Sequence, residues 1–405
     1  MNIIWGLFGC SIIILITLLM SENRKAINIR TVTIGFILQI IFGFLVLKWD
    51  YGMKIISAVS NAITEVMNYG YVGLEFAFGP LAENGSDVKI WAVTVLGMIV
   101  FFTVLIALFY YFGIMQIIVR VLGGGISKMM KTSYSESVAA AANMFIGSTQ
   151  APLVIKPYVA NMTRSQLYSL MVGSLASVSG AVMIGLAAMG IPMTYLLSAA
   201  VMSAPAGLMI AKLIIPETKE INEDEWKLEA GQEEEKTNII DVIFTSSREG
   251  LRYAINVGLM IVIFISLVAL INGLLGWTGS LFGFDQLSLE LIFGYVFAPV
   301  AFVIGIPWDE AVMAGNYLAQ KLFLNEFVAF TNLTVMMDEL SEKTLAILTF
   351  ALSGFANFGA AGSLVGMLLE MVPDKKTMIQ KMMFKALIAA TLANLLNGAI
   401  VTMFF

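Results

Sequence analysis

The chain has 405 residues, of which 59% are hydrophobic and 13% charged, and its net charge is −5. The apolar share exceeds, and the charged share falls well short of, those of soluble domains. A single cysteine, Cys10, leaves no disulfide framework or thiolate metal site, and the lack of histidine disfavours an intramembrane metalloprotease.

Apolar runs at 3–20, 31–48, 92–114, 192–215, 253–275 and 386–405 recur along the chain. Each is about long enough to cross a hydrocarbon core of ~30 Å. They are too long and too uniformly apolar for barrel strands, and an open sheet edge cannot be satisfied in lipid. The fold class is therefore an all-α integral membrane protein. The first run lacks a basic leader and a clear cleavage site, so it reads as a retained helix. The acidic excess concentrates in one loop, 217–235 ("ETKEINEDEWKLEAGQEEE"), which reads as a solvated connection. Nothing in the charge pattern suggests nucleic-acid binding.

Cytoplasmic helix ends are enriched in Lys and Arg. Arg24, Lys25 and Arg30 follow the first run, and Arg120, Lys128 and Lys131 follow the third. Lys212, Lys219, Lys227, Lys236, Arg248 and Arg252 bracket the acidic loop, and Lys375, Lys376, Lys381 and Lys385 precede the last run. Asp50, Glu65, Glu75, Glu83 and Asp87 mark the opposite side, with Lys54 and Lys89 as exceptions. One threading satisfies these clusters. It has eight spans near 3–21, 30–48, 90–115, 165–189, 192–215, 248–275, 343–371 and 384–404, with both termini outside. Ile56, Val59, Ile63 and Val66 follow helical spacing and predict a helix lying along the interface.

Two regions do not fit as simple spans, 132–162 and roughly 285–340. The first must enter and return from inside, the second from outside. Each precedes an apolar helix interrupted by small residues, "GSLASVSGAVMIG" (173–185) and "SGFANFGAAGSLVG" (353–366), and then a plain span. Hairpin, broken helix, span, repeated with opposite entry sides, is the pattern of an inverted repeat. In secondary transporters the substrate and ion sites lie where such broken elements meet.

The break "GSTQAPL" (147–153) sets three polar side chains before a proline, more than a kink alone requires. Glu326 is a carboxylate at bilayer depth, where ionisable residues are costly and usually functional. Asn325 beside it is positioned to cap a half-helix. Asn357, between Phe355 and Phe358, offers donors and an acceptor flanked by aromatic faces, which suits a small polar ligand with a flat ring. Asn143, Ser177 and the carbonyls near each break could form an all-oxygen cage for a hard cation such as sodium.

At these residues the chain resembles the concentrative nucleoside transporter family. The matching segments are "GLEFAFGPL" (73–81), "NMFIGSTQAPLVIKPY" (143–158), "FAPVAFVIGIPW" (297–308), "KLFLNEFVAF" (321–330) and "LSGFANFGAAGSLVG" (352–366). The resemblance implies a homotrimer whose protomers carry a scaffold and a transport domain and work by elevator-like alternating access. Mapped onto it, 1–131 supplies N-terminal scaffold helices and the interfacial helix. Residues 132–215 form the first repeat of the transport domain, 216–280 the acidic loop and a scaffold helix, and 281–405 the second repeat. The resemblance also implies site roles: Ser148, Thr149 and Gln150 toward the nucleobase, Val182 as an apolar contact, Glu326 and Asn357 on the ribose with Phe355 beside it. Asn143, Ser177 and the carbonyls of Ile146 and Val178 match the sodium ligands.

The chain departs from the family pattern at four places. Ser148 stands where Gln is usual, Gln150 where Glu is usual, Ala360 where a second Ser is usual, and Ala319 where Gly is usual. Two departures fall on the base-reading side, which implies an altered base preference or an unusual nucleoside-like substrate.

The expected function is import of nucleosides or close analogues by cation symport, with sodium as the coupling ion and no other cofactor. Alternatives are a proton-coupled carrier of nucleosides or nucleobases, and a channel or gating-type membrane protein. An intramembrane enzyme would need a Ser–Lys or carboxylate pair, and none is evident. The expected location is the inner membrane of a bacterium.

Overall fold

The computed structural model describes residues 2–82, 90–148, 150–219, 238–284 and 286–405. Outside them lie Thr149, the charges Glu83, Asp87 and Lys89, and the acidic loop from 220 to 235 with Lys236. The described residues are organised entirely by helices.

The chain begins with α1 (Asn2–Leu19), α2 (Ile29–Leu47) and α3 (Asp50–Phe78). Asn28 starts α2 by accepting from the Arg30 and Thr31 amides at 3.0 and 3.4 Å, satisfying two donors that have no partner within the helix. The stretch 56–66 is helical as expected, within an α3 that is far longer. α4 (Trp91–Tyr111) and α5 (Ile114–Met130) follow. Hydropathy predicts one span over 90–115; the structure instead ends α4 at Tyr111 and starts α5 at Ile114. α5 buries Met115, Val119, Gly123, Ile126 and Met130, a single face at helical spacing.

The first hairpin comprises α6 (Tyr134–Ile146) and the short α7 (Ala151–Val154) and α8 (Lys156–Val159). The first broken helix is α9 (Arg164–Ala176) and α10 (Gly180–Ala188), followed by the span α11 (Met193–Ile214). α6 and α9 both begin with capping boxes, Ser133 with Glu136 and Thr163 with Gln166. α12 (Ile239–Ser280) is a single helix of 42 residues, overrunning the expected 248–275 at both ends.

The second half corrects the expected hairpin of 285–340. α13 (Leu289–Val303) is a separate helix, bent 113° against α14 (Trp308–Phe323). The bend is set at Gly305, whose φ of 104° suits glycine alone and whose missing Cβ leaves room for Thr402. The hairpin proper is α14 with α15 (Glu326–Val335). α16 (Glu342–Leu352) and α17 (Phe358–Met371) form the second broken helix, and α18 (Lys376–Thr402) closes the fold.

Among the described residues, seven helical stretches are long and apolar enough to cross a membrane, or eight if the bent pair α13–α14 counts as one span. The apolar windows of α9–α10 and α11 are 89% buried, while that of α12 is 11% buried. The broken elements therefore make the protein core, and α12 lies at its periphery. α4 packs along α12, α2 along α11, and α1 and α16 along α18.

Candidate functional site

The two breaks meet. Gly147, with φ of 93°, turns the chain out of α6, and a Cβ there would strike the side chain of Ser179 at the start of α10. The Phe355 amide donates to the Ser177 carbonyl at 3.4 Å, linking the second break to the first. Between them and α12 opens a cavity of about 510 Å³, within the range of small-molecule sites.

Its lining follows a rule of helix ends. Gln150, Ser179, Asn325 and Asn357 all border the cavity, and they are the N-cap residues of α7, α10, α15 and α17. Ser179 accepts from the Val182 amide at 3.4 Å, Asn325 from Val328 at 2.9 Å and Asn357 from Ala360 at 2.8 Å. Asn325 thus caps a half-helix as its sequence position suggests. The positive ends of several half-helices face one space, an arrangement that favours acceptor-rich ligands.

Glu326 occupies the first turn of α15 and is 4% exposed. Its Oε2 accepts from Asn357 Nδ2 at 3.0 Å. Asn357 Oδ1 is committed to its own cap, so the pair retains one amide hydrogen and further carboxylate lone pairs for a ligand. That is a donor beside a strong acceptor, the complement of adjacent hydroxyls.

Of the expected substrate contacts, Ser148, Gln150, Glu326, Phe355 and Asn357 all line this cavity. Thr149 lies outside the described residues. Val182 does not border the cavity; it is fully buried one turn into α10, behind Ser179. Ala360 borders the cavity with no hydroxyl to offer.

Among the expected cation ligands, Ile146 reaches the cavity wall. Asn143 is buried, and its Nδ2 donates to the Gly173 and Ser174 carbonyls at 2.8 and 3.1 Å. Its Oδ1 is buried without a partner. Such an orphan is uncommon in a native interior and fits an oxygen held for a cation. Ser177 Oγ donates to the Val178 carbonyl at 3.1 Å, leaving its own lone pairs unspent.

The opposite wall was not anticipated. Glu249, Tyr253 and Asn256 of α12 line the cavity, joined by Val257, Met260 and Phe264. Their spacing of four and three residues sets the polar three on one helix face. That polar stripe, leading from the charged start of α12 into its apolar stretch, was the available signal.

Opposed hairpins, paired broken helices and a polar cavity at their junction define a membrane transporter of the inverted-repeat class. Family models match most of the chain: "Na+ dependent nucleoside transporter N-terminus" over residues 8–81, "Nucleoside recognition" over 92–193 and "Na+ dependent nucleoside transporter C-terminus" over 195–402. The chain is 46% identical to the Uncharacterized transporter YutK of Bacillus subtilis, each covered in full. It is 40% identical to the Nucleoside permease NupC of Helicobacter pylori, covering 99% of this chain and 97% of the relative. It superposes on CNTnw in an inward-facing substrate-bound state with a TM-score of 0.94 at 41% identity, covering 100% of this chain and 98% of that one. A variant of CNTnw in an outward-facing state gives 0.95 at 41% identity, covering 100% and 99%. The chain belongs to the concentrative nucleoside transporter family, a family of transporters and not of enzymes.

Proposed function

We propose that this chain imports nucleosides by symport with sodium, through elevator-like alternating access. The observation that carries the reading is the Glu326–Asn357 pair, hydrogen-bonded at 3.0 Å inside a cavity walled by both breaks and by α12. The pair suits the ribose hydroxyls, and Ser148 and Gln150 face the base. Asn143 and Ser177, with the carbonyls of Ile146 and Val178, are the proposed sodium ligands. The unpartnered Asn143 Oδ1 supports that choice, since a hard cation takes oxygen ligands.

In this mechanism sodium orders the first break, and the nucleoside then bridges Gln150 to Glu326 and Asn357. A ligand shifts a conformational equilibrium only through its differential affinity for the states. Bridging both repeats supplies that difference, because only the filled site satisfies the buried polar groups of both. α4 and α12, packed along each other, belong to the static support, and the repeats of 132–215 and 281–405 move against it. The working form is a homotrimer in a bacterial inner membrane, with both termini outside.

Equilibrium binding to the purified protein tests the sugar-reading claim. Labelled nucleoside should be displaced by other nucleosides, poorly by their ribose-deoxygenated forms and hardly at all by free bases. Displacement by free base as effective as by nucleoside would contradict the assignment of Glu326 and Asn357 to the ribose.

A further inference from the structure

The second hairpin carries a cation of its own. Lys321, in the last turn of α14, is 3% exposed. Its Nζ donates to the Ala351 carbonyl at 2.8 Å and to Asn394 Oδ1 at 2.6 Å, both neutral oxygens. Among the described residues the other buried charges are Glu136, Lys212 and Glu326, and the first two pair with each other at 2.8 Å. A lysine at membrane depth costs a few kcal/mol, so its presence calls for a role.

The inverted repeat supplies one. α6 and α14 are the first helices of the two hairpins, and α9 and α16 are the first halves of the two broken helices. In the first repeat the last turn of α6 presents Asn143 to the Gly173 and Ser174 carbonyls in the last turn of α9. In the second repeat the last turn of α14 presents Lys321 to the Ala351 carbonyl in the last turn of α16. Helix C-terminal ends carry partial negative charge and attract cations. One of these ends receives a neutral amide and has a spare oxygen, Asn143 Oδ1, beside it. The other is occupied by an amino group. Asn394 of α18 joins the two: its Nδ2 donates to the Ala176 carbonyl at 2.5 Å while its Oδ1 accepts from Lys321. Gly354 makes room for this bridge, since a Cβ there would collide with the Asn394 amide.

We infer that Lys321 is a tethered cation that fills, in the second repeat, the place a mobile coupling ion takes in the first. The inference rests on the cation-symport reading above. Its consequence is a count. Lys321 gives the second repeat a fixed positive charge of its own, so one mobile cation per nucleoside suffices.

The test is the coupling ratio, read in proteoliposomes from the membrane potential that just halts nucleoside uptake. The unaltered protein and Lys321→Arg should each move one cation per nucleoside. Lys321→Gln should need on the order of tenfold more sodium for half-maximal uptake, the loss expected when a charged hydrogen-bonding group is removed, and its ratio should rise to two. A ratio of two in the unaltered protein overturns the assignment with no variant needed. So does a Lys321→Gln protein that keeps the original ratio and sodium dependence. If Lys321→Gln transports nothing, its thermal melt in detergent is read instead. Sodium, compared with choline, should then stabilise Lys321→Gln more than the unaltered protein, and equal shifts overturn the inference. Uptake driven by protons and not sodium would correct the choice of ion in the proposed function, and the same ratio would be read on protons. Uptake driven by neither gradient overturns both readings.

Discussion

Asn357 donates to Glu326 at 3.0 Å, and the two residues stand at the N-terminal ends of different half-helices. Each carries a second duty, Asn357 capping α17 and Glu326 opening α15, so the pair is fixed before any ligand arrives. Pre-organisation of this kind lowers the ordering cost of binding.

Glu326→Gln keeps the shape and removes the charge. Hydrogen bonds to charged groups contribute about 1.5–3 kcal/mol, which is roughly 12- to 150-fold in affinity. Nucleoside affinity should fall by that factor in titration calorimetry, while the much weaker affinity for free base stays unchanged. Unaltered nucleoside affinity in the variant would remove Glu326 from the site.

Gln150 borders the cavity where the family usually has Glu. Gln150→Glu exchanges a neutral donor and acceptor for an acceptor alone. The ranking of bases should shift, with changes of roughly 2- to 12-fold between them, corresponding to about 0.5–1.5 kcal/mol per hydrogen bond. A competition panel reads this directly, and an identical ranking in both proteins would place Gln150 away from the base.

Ser177 Oγ lies against the Val178 carbonyl at 3.1 Å, beside the proposed sodium position. Ser177→Ala removes one oxygen ligand and leaves the ribose pair intact. The sodium concentration for half-maximal uptake should rise about tenfold or more, with ligand-shell losses as the guide. Nucleoside affinity at saturating sodium should change little. A shift in nucleoside affinity without a shift in sodium dependence would contradict the ligand assignment.

Glu22, in the loop after α1, ties the start of α9 to the body of α18 and the end of α11. It pairs with Arg164 at 2.6 Å and Lys385 at 2.8 Å, and its amide donates to the Ile214 carbonyl at 2.9 Å. Partial burial pushes its carboxyl up, but hydrogen bonds from Lys385 and Arg164, with their charges, outweigh this and hold it below 4.5. A carboxyl depressed in the folded state contributes stability above its unfolded value, and that stability is lost as pH falls through the folded value. Glu22→Gln should therefore melt slightly lower at neutral pH, by about 2 °C or less given its exposure. The gap should begin to narrow as pH falls below the unperturbed carboxylate value of about 4.3 and close once pH has passed the lower folded value. A gap independent of pH would mean that the pairs contribute nothing through charge.

The breaks were legible in the sequence because polar and small residues interrupt apolar tracts there, and lipid tolerates such backbone only inside protein. Gly147–Pro152 and Ser353–Phe358 are both at the junction the sequence reading chose. Helix boundaries at the periphery were not legible. α5 is amphipathic and follows α4 after a two-residue turn, so hydropathy ran the two together. α13 was absorbed into the second hairpin because Pro299 and Pro307 both look like breaks, whereas the chain bends at Gly305. The α12 wall of the cavity was missed for a different reason. Glu249, Tyr253 and Asn256 sit beside Arg248 and Arg252, charges that by themselves mark only a cytoplasmic helix end. Lys321 and Asn394 gain their meaning from contacts 73 residues apart in the chain, which no local pattern reveals.

The most direct test of the central claim is concentrative uptake of a labelled nucleoside panel into proteoliposomes, with sodium and proton gradients imposed separately. The account predicts accumulation above equilibrium under an inward sodium gradient, abolished when that gradient is dissipated. Accumulation under a proton gradient alone, or equilibration without accumulation under either, would contradict it.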